Sequence, residues 1–241
     1  MIVIHEKLAT PRERRHDANL ARILDAAMQL IEDGGLAGLS MNKLADAVSY
    51  TPGALYRYFP SKDAILAQLV VRTLTDLSVH CSEVLSRLPG QSSPLARVLL
   101  LVSAYRGFAR GEPQRFGLLA MTMAEPRVLL QEHEHAEAVA NAMIAAMQPL
   151  SEALGAAADA ELLERGDVAE RTLCTFALLQ GMLQLQKSTR YAPAVLDVDR
   201  LLSRGTRTLL LGWGAKARTV DAAIARVALL GDLAPGKGDA P

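Results

Sequence analysis

Apolar residues recur along this chain at the three-and-four spacing of helices almost from end to end. Between Asp17 and Asp33, Leu20, Ile23, Leu24, Ala27, Met28 and Ile31 fall on one helical face. Gly34-Gly35 follow and predict the end of that helix. Ser40 stands where an N-cap is needed for a short second helix reaching about Val48. Thr51-Pro52 opens a third, because proline is tolerated at the first helical position, where its missing N–H would be unpaired anyway. Pro60 closes this helix near Phe59, and Ser61 caps a long fourth helix from Lys62 to about Leu88. Beyond the Pro/Gly/Ser-rich stretch 89–94, the spacing predicts helices near 94–111, 113–124, 127–155, 167–188, 197–217 and 219–230. The predicted breaks are Gly111-Glu112-Pro113, Glu125-Pro126, Gly155–Asp159 and Tyr191-Ala192-Pro193.

The fold class that follows is all-α. A short helix, a four-residue turn and a second short helix, preceded by a longer one, form the helix-turn-helix arrangement. The expected organisation is a flexible N-terminal arm over 1–16, a helix-turn-helix domain over 17–66, a larger helical regulatory and dimerisation domain over 67–230, and a flexible tail over 231–241.

Composition agrees with helices: half of the 241 residues are hydrophobic, only 4% are aromatic, and long β-branched runs are missing. Charge changes the picture little. The net charge is zero, and residues 1–62 carry eight Lys/Arg against seven Asp/Glu, so a nucleic-acid reading must rest on where charges sit. Cys81 and Cys174 match no metal or redox spacing. The N-terminus lacks the apolar run of a signal peptide, and no segment is long and apolar enough to span a membrane. The expected location is the cytoplasm. Around Glu132–Glu137, His133 and Glu137 share a helical face but His133 and His135 do not, so a solvated segment is expected, with no metal and no cofactor. No Ser-His-Asp order, phosphate loop or paired metal site appears, and no enzyme is expected.

A helix that enters the major groove must present short side chains near its N-terminus, so that its backbone can approach base edges. Thr51, Pro52, Gly53 and Ala54 meet that demand. Arg57, one turn on, can reach a guanine edge or a phosphate. The Ser40 hydroxyl and the helix start behind it can hold a phosphate, and Lys43 is a further candidate. Leu55 and Phe59, four apart, are expected to face the core. The competing readings are solvated surface charges for Lys43 and Arg57, ordinary packing for Tyr56 and Tyr58, and a plain charged terminus for Arg12, Arg14 and Arg15.

The segment Leu44–Leu66, LADAVSYTPGALYRYFPSKDAIL, with ILDAAMQLIEDGGLAGLSMNKLA before it, resembles the signature of the tetracycline-repressor (TetR) family of transcriptional regulators. The resemblance covers about residues 20–66. It implies phosphate contacts by Tyr56 and Lys62, with Tyr58 nearby. Two positions depart from the family pattern. Ser49 stands where the turn usually has glycine, at a cost of about 1 kcal/mol in a left-handed conformation, and Tyr50 replaces a small apolar residue.

Further on, AYRGFARGEPQRFGLLAM over 104–121 resembles a subgroup of TetR C-terminal domains with a YxxFAxxxPxxFxLM pattern. Phe176, Gln180 and Gly181 stand where that subgroup often has Trp-x-x-x-His-Gly. A mainly apolar effector pocket is expected among the helices of 94–188, with Tyr105, Phe108, Phe116, Met121, Met123, Met143, Met147 and Phe176 as lining and Gln180 as a polar anchor. Plain core is the competing reading for each. Cys174, Ala177 and Gly181, and Gly205, Leu209 and Gly212, put small residues on one face of the last two large helices. The resemblance implies a homodimer built on these helices, whose two-fold symmetry matches a palindromic double-stranded operator; tight packing within one subunit is the alternative. The leading functional expectation is a repressor released from its operator by a small-molecule effector. The alternative is a DNA-bound regulator or adaptor that acts through protein partners without an effector.

Overall fold

The computed structural model describes residues 10–124, 133–189, 191 and 196–231, and among them finds helices and no strand. The helices are α1 (Pro11–Gly38), α2 (Met41–Ala47), α3 (Pro52–Leu55), α4 (Lys62–Ser86), α5 (Pro94–Gly111), α6 (Pro113–Ala124), α7 (His133–Asp159), α8 (Val168–Gln184), α9 (Val198–Gly212) and α10 (Ala217–Ala228). A 3-10 turn, Leu185–Ser188, extends α8. The chain divides into two compact units: Met1–Val70 with Arg127–Val139, and Val71–Pro126 with Ala140–Pro241.

In the first unit, α1 begins six residues earlier than its apolar periodicity suggests. The Thr10 hydroxyl accepts from the Glu13 N–H at 3.3 Å and the Glu13 carboxylate accepts from the Thr10 N–H at 2.7 Å, a capping box with Pro11 at the first position. The hydrogen bond from the Thr10 backbone holds the exposed Glu13 carboxyl below its ordinary pKa. Residues 11–16 are therefore helical rather than a flexible arm, and 1–9 lie outside the described residues. At the far end, Gly35 adopts φ 63° and kinks the helix, which resumes as far as Gly38. Ile23, Leu24, Ala27 and Ile31 of α1 are buried, as are Leu44 and Ala45 of α2, Leu55 and Phe59, and Ile65, Leu66 and Leu69 of α4, and α2 packs against both α1 and α3.

In the second unit, α5 is buried nearly all round, from Leu95 and Ala96 to Phe108 and Ala109, as a central helix must be. It packs against α6, α8 and α10, and α9 packs against α8 and α10. Two boundaries differ from the sequence reading. The expected break at Gly155–Asp159 is helical, because Ala153, Leu154 and Ala157 are buried in the core and hold α7 together to Asp159. The expected helix 197–217 stops at Gly212, because Gly214 takes φ 89°, a conformation that side-chain-bearing residues rarely adopt, before α10 starts at Ala217. The predicted helix start at 127 lies outside the described residues.

Candidate nucleic-acid interface and ligand core

The turn between α2 and α3 is a helix-ending motif with a serine in the place usually held by glycine. Ser49 sits at φ 57°. The Ser49 N–H donates to the Asp46 carbonyl at 3.1 Å and the Tyr50 N–H to the Ala45 carbonyl at 2.8 Å, the paired bonds of a Schellman motif. Residues of α1 brace this turn from outside. The Arg22 guanidinium donates to the Val48 carbonyl and lies over the Tyr50 ring, 5.1 Å from its centre. Tyr50 stacks on Tyr58 at 5.9 Å, Tyr58 stacks on His16 at 5.3 Å, and the Asn19 amide donates to the Tyr58 hydroxyl at 3.2 Å. Tyr50 thus finds its space in an aromatic stack. Tyr58 is a packed residue whose hydroxyl proton is still free to donate.

Thr51 caps α3 by accepting from the Ala54 N–H at 3.2 Å. The regular helix is only Pro52–Leu55; tighter bonds from Arg57 to Ala54 and from Tyr58 to Leu55 carry the chain to Phe59. Pro60 keeps the helix from continuing past Phe59, since it disfavours helical geometry at the residue before it. Leu55 and Phe59 are buried, as their spacing predicts. Thr51, Pro52, Gly53, Tyr56 and Arg57 are exposed and Ala54 is half-buried. A Cβ added at Gly53 would meet open space, so nothing among the described residues demands glycine there. Ser40 caps α2 by accepting from the Lys43 N–H at 3.3 Å, and the Lys43 side chain is exposed. Lys62 has an internal partner: its ammonium donates to the Leu36 carbonyl at 2.6 Å. Sequence reasoning missed His16, Asn19 and Arg22, which look like ordinary polar positions of a surface helix and meet their partners only across a gap of 26 residues or more.

The predicted effector residues meet in part. The Tyr105 hydroxyl donates to the Gln180 amide oxygen at 2.6 Å in the core, and the Phe116 and Phe176 rings both meet Tyr105 edge-on with centres 6.1 Å apart. Gln180 is 5% exposed, and its amide nitrogen has no hydrogen-bond partner among the described residues. Burial pushes the Tyr105 phenol well above its ordinary pKa, with the nearby Cys81 thiol adding to the shift. Phe108 is buried beside His80 and lines a cavity of about 230 Å³ with Asp76, Glu112 and Arg115. Met121, Met143 and Met147 are half-buried, and the Met123 side chain lies outside what is described.

Of the six small-residue positions, Cys174, Ala177 and Gly181 form an exposed row on α8, flanked by Leu173 and Leu185, which are also exposed. Space is open where Gly181 and Gly212 would carry a Cβ. Leu209 is half-buried. Gly205 differs: a Cβ there would come within 2.8 Å of Leu178, so its smallness lets α8 and α9 of one chain approach.

Comparison with known proteins agrees with this geometry. The description "Bacterial regulatory proteins, tetR family" matches residues 23–69, and "Tetracyclin repressor-like, C-terminal domain" matches 98–209. The HTH-type transcriptional repressor KstR of Rhodococcus jostii (strain RHA1) is 33% identical over 82 residues, 34% of this chain and 36% of that protein. The curated relatives this chain matches are thus spanned over only about a quarter to a half of their length. The solved structure of RolR with resorcinol superposes with a TM-score of 0.59 at 16% identity, covering 88% of this chain and 96% of that one. FadR of Bacillus subtilis in complex with stearoyl-CoA does so with a TM-score of 0.60 at 17% identity, over 79% and 97%. Identities this low show a shared fold.

Proposed function

Because the chain belongs to the TetR family of bacterial regulatory proteins, we propose that it is a homodimeric repressor, released from a palindromic operator by a small, mainly apolar effector. The observation that carries the DNA half is Gly53. Glycine inside a helix costs about 1 kcal/mol relative to alanine, and the surrounding fold gains nothing from it. Its use is then external. With Thr51 and Pro52 it leaves the start of α3 low enough for the backbone to enter the major groove. Arg57 reads a base edge or phosphate one turn on, and Tyr56, Lys43 and the capped start of α2 hold the phosphate backbone.

For the effector half, the support is Gln180. A buried amide nitrogen without a partner is costly, and it lies in an aromatic cluster that also holds Tyr105, Phe116 and Phe176. An apolar molecule with one acceptor group would satisfy it. KstR is a repressor, and RolR and FadR were solved with resorcinol and stearoyl-CoA. The exposed apolar row on α8 supports pairing of two chains through α8 and α9.

The switch runs through α4, a continuous helix whose first residues belong to one unit and whose remainder belongs to the other. A tilt of α4 in each subunit changes the spacing of the two recognition helices without touching a base contact. An effector with a tenfold preference for the non-fitting state weakens operator binding by at most about 1.4 kcal/mol, and operator weakens effector binding by the same factor. Titrating an effector with and without operator tests this: unequal affinities support the switch, and equal affinities refute it for that molecule. No helix among the described residues is long and apolar enough to cross a membrane.

A further inference from the structure

A second cavity, of about 260 Å³, is lined by α5, α9 and α10, where α10 packs against both of the other helices. None of the predicted effector residues lines it. Its walls come from one face of each helix. On α5 that face runs from Leu99 to Arg106, and on α9 from Asp199 to Thr206. Val102, Leu202 and Ile224 supply apolar walls between the ends.

Both ends are polar. At one end, Asp199 forms an ion pair with Arg106 at 3.3 Å and accepts a hydrogen bond from Arg110. Among the described residues, one carboxylate thus serves two guanidiniums, which leaves a positive charge beside the cavity. Arg106 is about a third exposed and open to a further anion. At the other end, Thr206 is 2% exposed and its hydroxyl has no hydrogen-bond partner among the described residues. Thr172 and Thr175 of α8, in contrast, turn their hydroxyls back to the carbonyls four residues before them. Asp199 and Thr206 are seven residues apart on one helix face, which sets the two polar ends about 10 Å apart.

We propose that this cavity binds a small carboxylic acid carrying a hydroxyl or carbonyl at the far end of an apolar body. The carboxylate joins Arg106 at the rim, the body lies against Val102, Leu202 and Ile224, and the distal group pairs with Thr206. An apolar cavity of about 150 Å³ holds benzene, so this one accommodates a ring with a short side chain. The site is separate from the Gln180 cluster, and the inference stands whether or not an effector binds there.

The test is calorimetric titration of the full chain with 4-hydroxycinnamate, cinnamate, which lacks the distal hydroxyl, and 4-hydroxycinnamyl alcohol, which lacks the carboxylate. The hydroxy acid binds once per chain. It binds several-fold tighter than cinnamate and about tenfold tighter than the alcohol, the scale of one neutral and one charge-assisted hydrogen bond. Thr206→Val abolishes the preference over cinnamate and Arg106→Gln the preference over the alcohol. Ala228→Trp, which fills the cavity, abolishes binding of all three. The near-isosteric Thr206→Val keeps the test open if Ala228→Trp does not fold. Absence of binding at millimolar acid overturns the proposal. So does survival of both preferences in the variants, or full affinity in a folded Ala228→Trp chain.

Discussion

The Lys62 ammonium donates to the Leu36 carbonyl at 2.6 Å and ties the start of α4 to the last turn of α1. A cation at a helix C-terminus is favoured by both the hydrogen bond and the helix dipole. Lys62→Met is therefore expected to destabilise the protein by about 1.5 kcal/mol, the scale of a hydrogen bond to a charged group. Thermal melting checks this. A lysine that served only a phosphate would leave the melting temperature unchanged, and its loss would lower the salt slope of DNA binding by about one.

Ser49 occupies the left-handed position of the motif turn at φ 57°. Ser49→Val places a β-branched side chain there and is expected to cost about 1–2 kcal/mol, while Ser49→Gly costs nothing. Urea unfolding of the two variants compares them directly. Equal midpoints would mean that the turn does not hold this geometry in solution.

Burial pushes the Cys81 thiol from its ordinary value of 9.0 to about 12. In the unfolded chain the thiol ionises from about pH 9, while in the folded chain it stays neutral. The stability linked to this group is thus fully present below pH 9 and is lost as pH rises from about 9 towards about 12. Cys81→Ala is expected to show a shallower loss of stability between pH 8 and pH 10.5 than the parent, read from denaturant midpoints at each pH.

The proposed seam separates two glycines. Gly181 faces open space, whereas Gly205 faces Leu178 of its own chain. The protein is expected to be a dimer at micromolar concentration by light scattering. Gly181→Leu is expected to weaken association while leaving the fold intact, whereas Gly205→Leu lowers the melting temperature by overpacking, typically about 1–3 kcal/mol. Cys174, exposed in the single chain, is expected to resist thiol reagents in the dimer and to react once the dimer dissociates.

The sequence carried the elements whose signals are local. Caps and prolines placed α2, α5 and α6 closely, and Leu55 and Phe59 were assigned to the core by spacing alone. What it hid depends on partners distant along the chain. The brace of Arg22, Asn19 and His16 against Tyr50 and Tyr58 leaves no periodic trace. Nor does the contact that makes Gly205 a packing residue, or the engagement of Lys62 by Leu36. α7 ran past Gly155 because burial of Leu154 and Ala157 outweighs the glycine, a tertiary effect that propensity does not contain. The capping box at Thr10 was legible as Thr-x-x-Glu, but the charged residues after it masked a helix with no apolar face of its own.

The central claim is that the start of α3 reads DNA, and selection of bound duplexes from random sequence tests it most directly, run with the parent chain and with Gly53→Val. A Cβ at this exposed position meets open space, so the variant is expected to remain folded. The parent is expected to enrich two inverted half-sites whose centres lie about 34 Å or a multiple of it apart along one face of the duplex, and Gly53→Val is expected to lose that enrichment. No enriched inverted repeat, or the same sites selected equally well by Gly53→Val, would contradict the account.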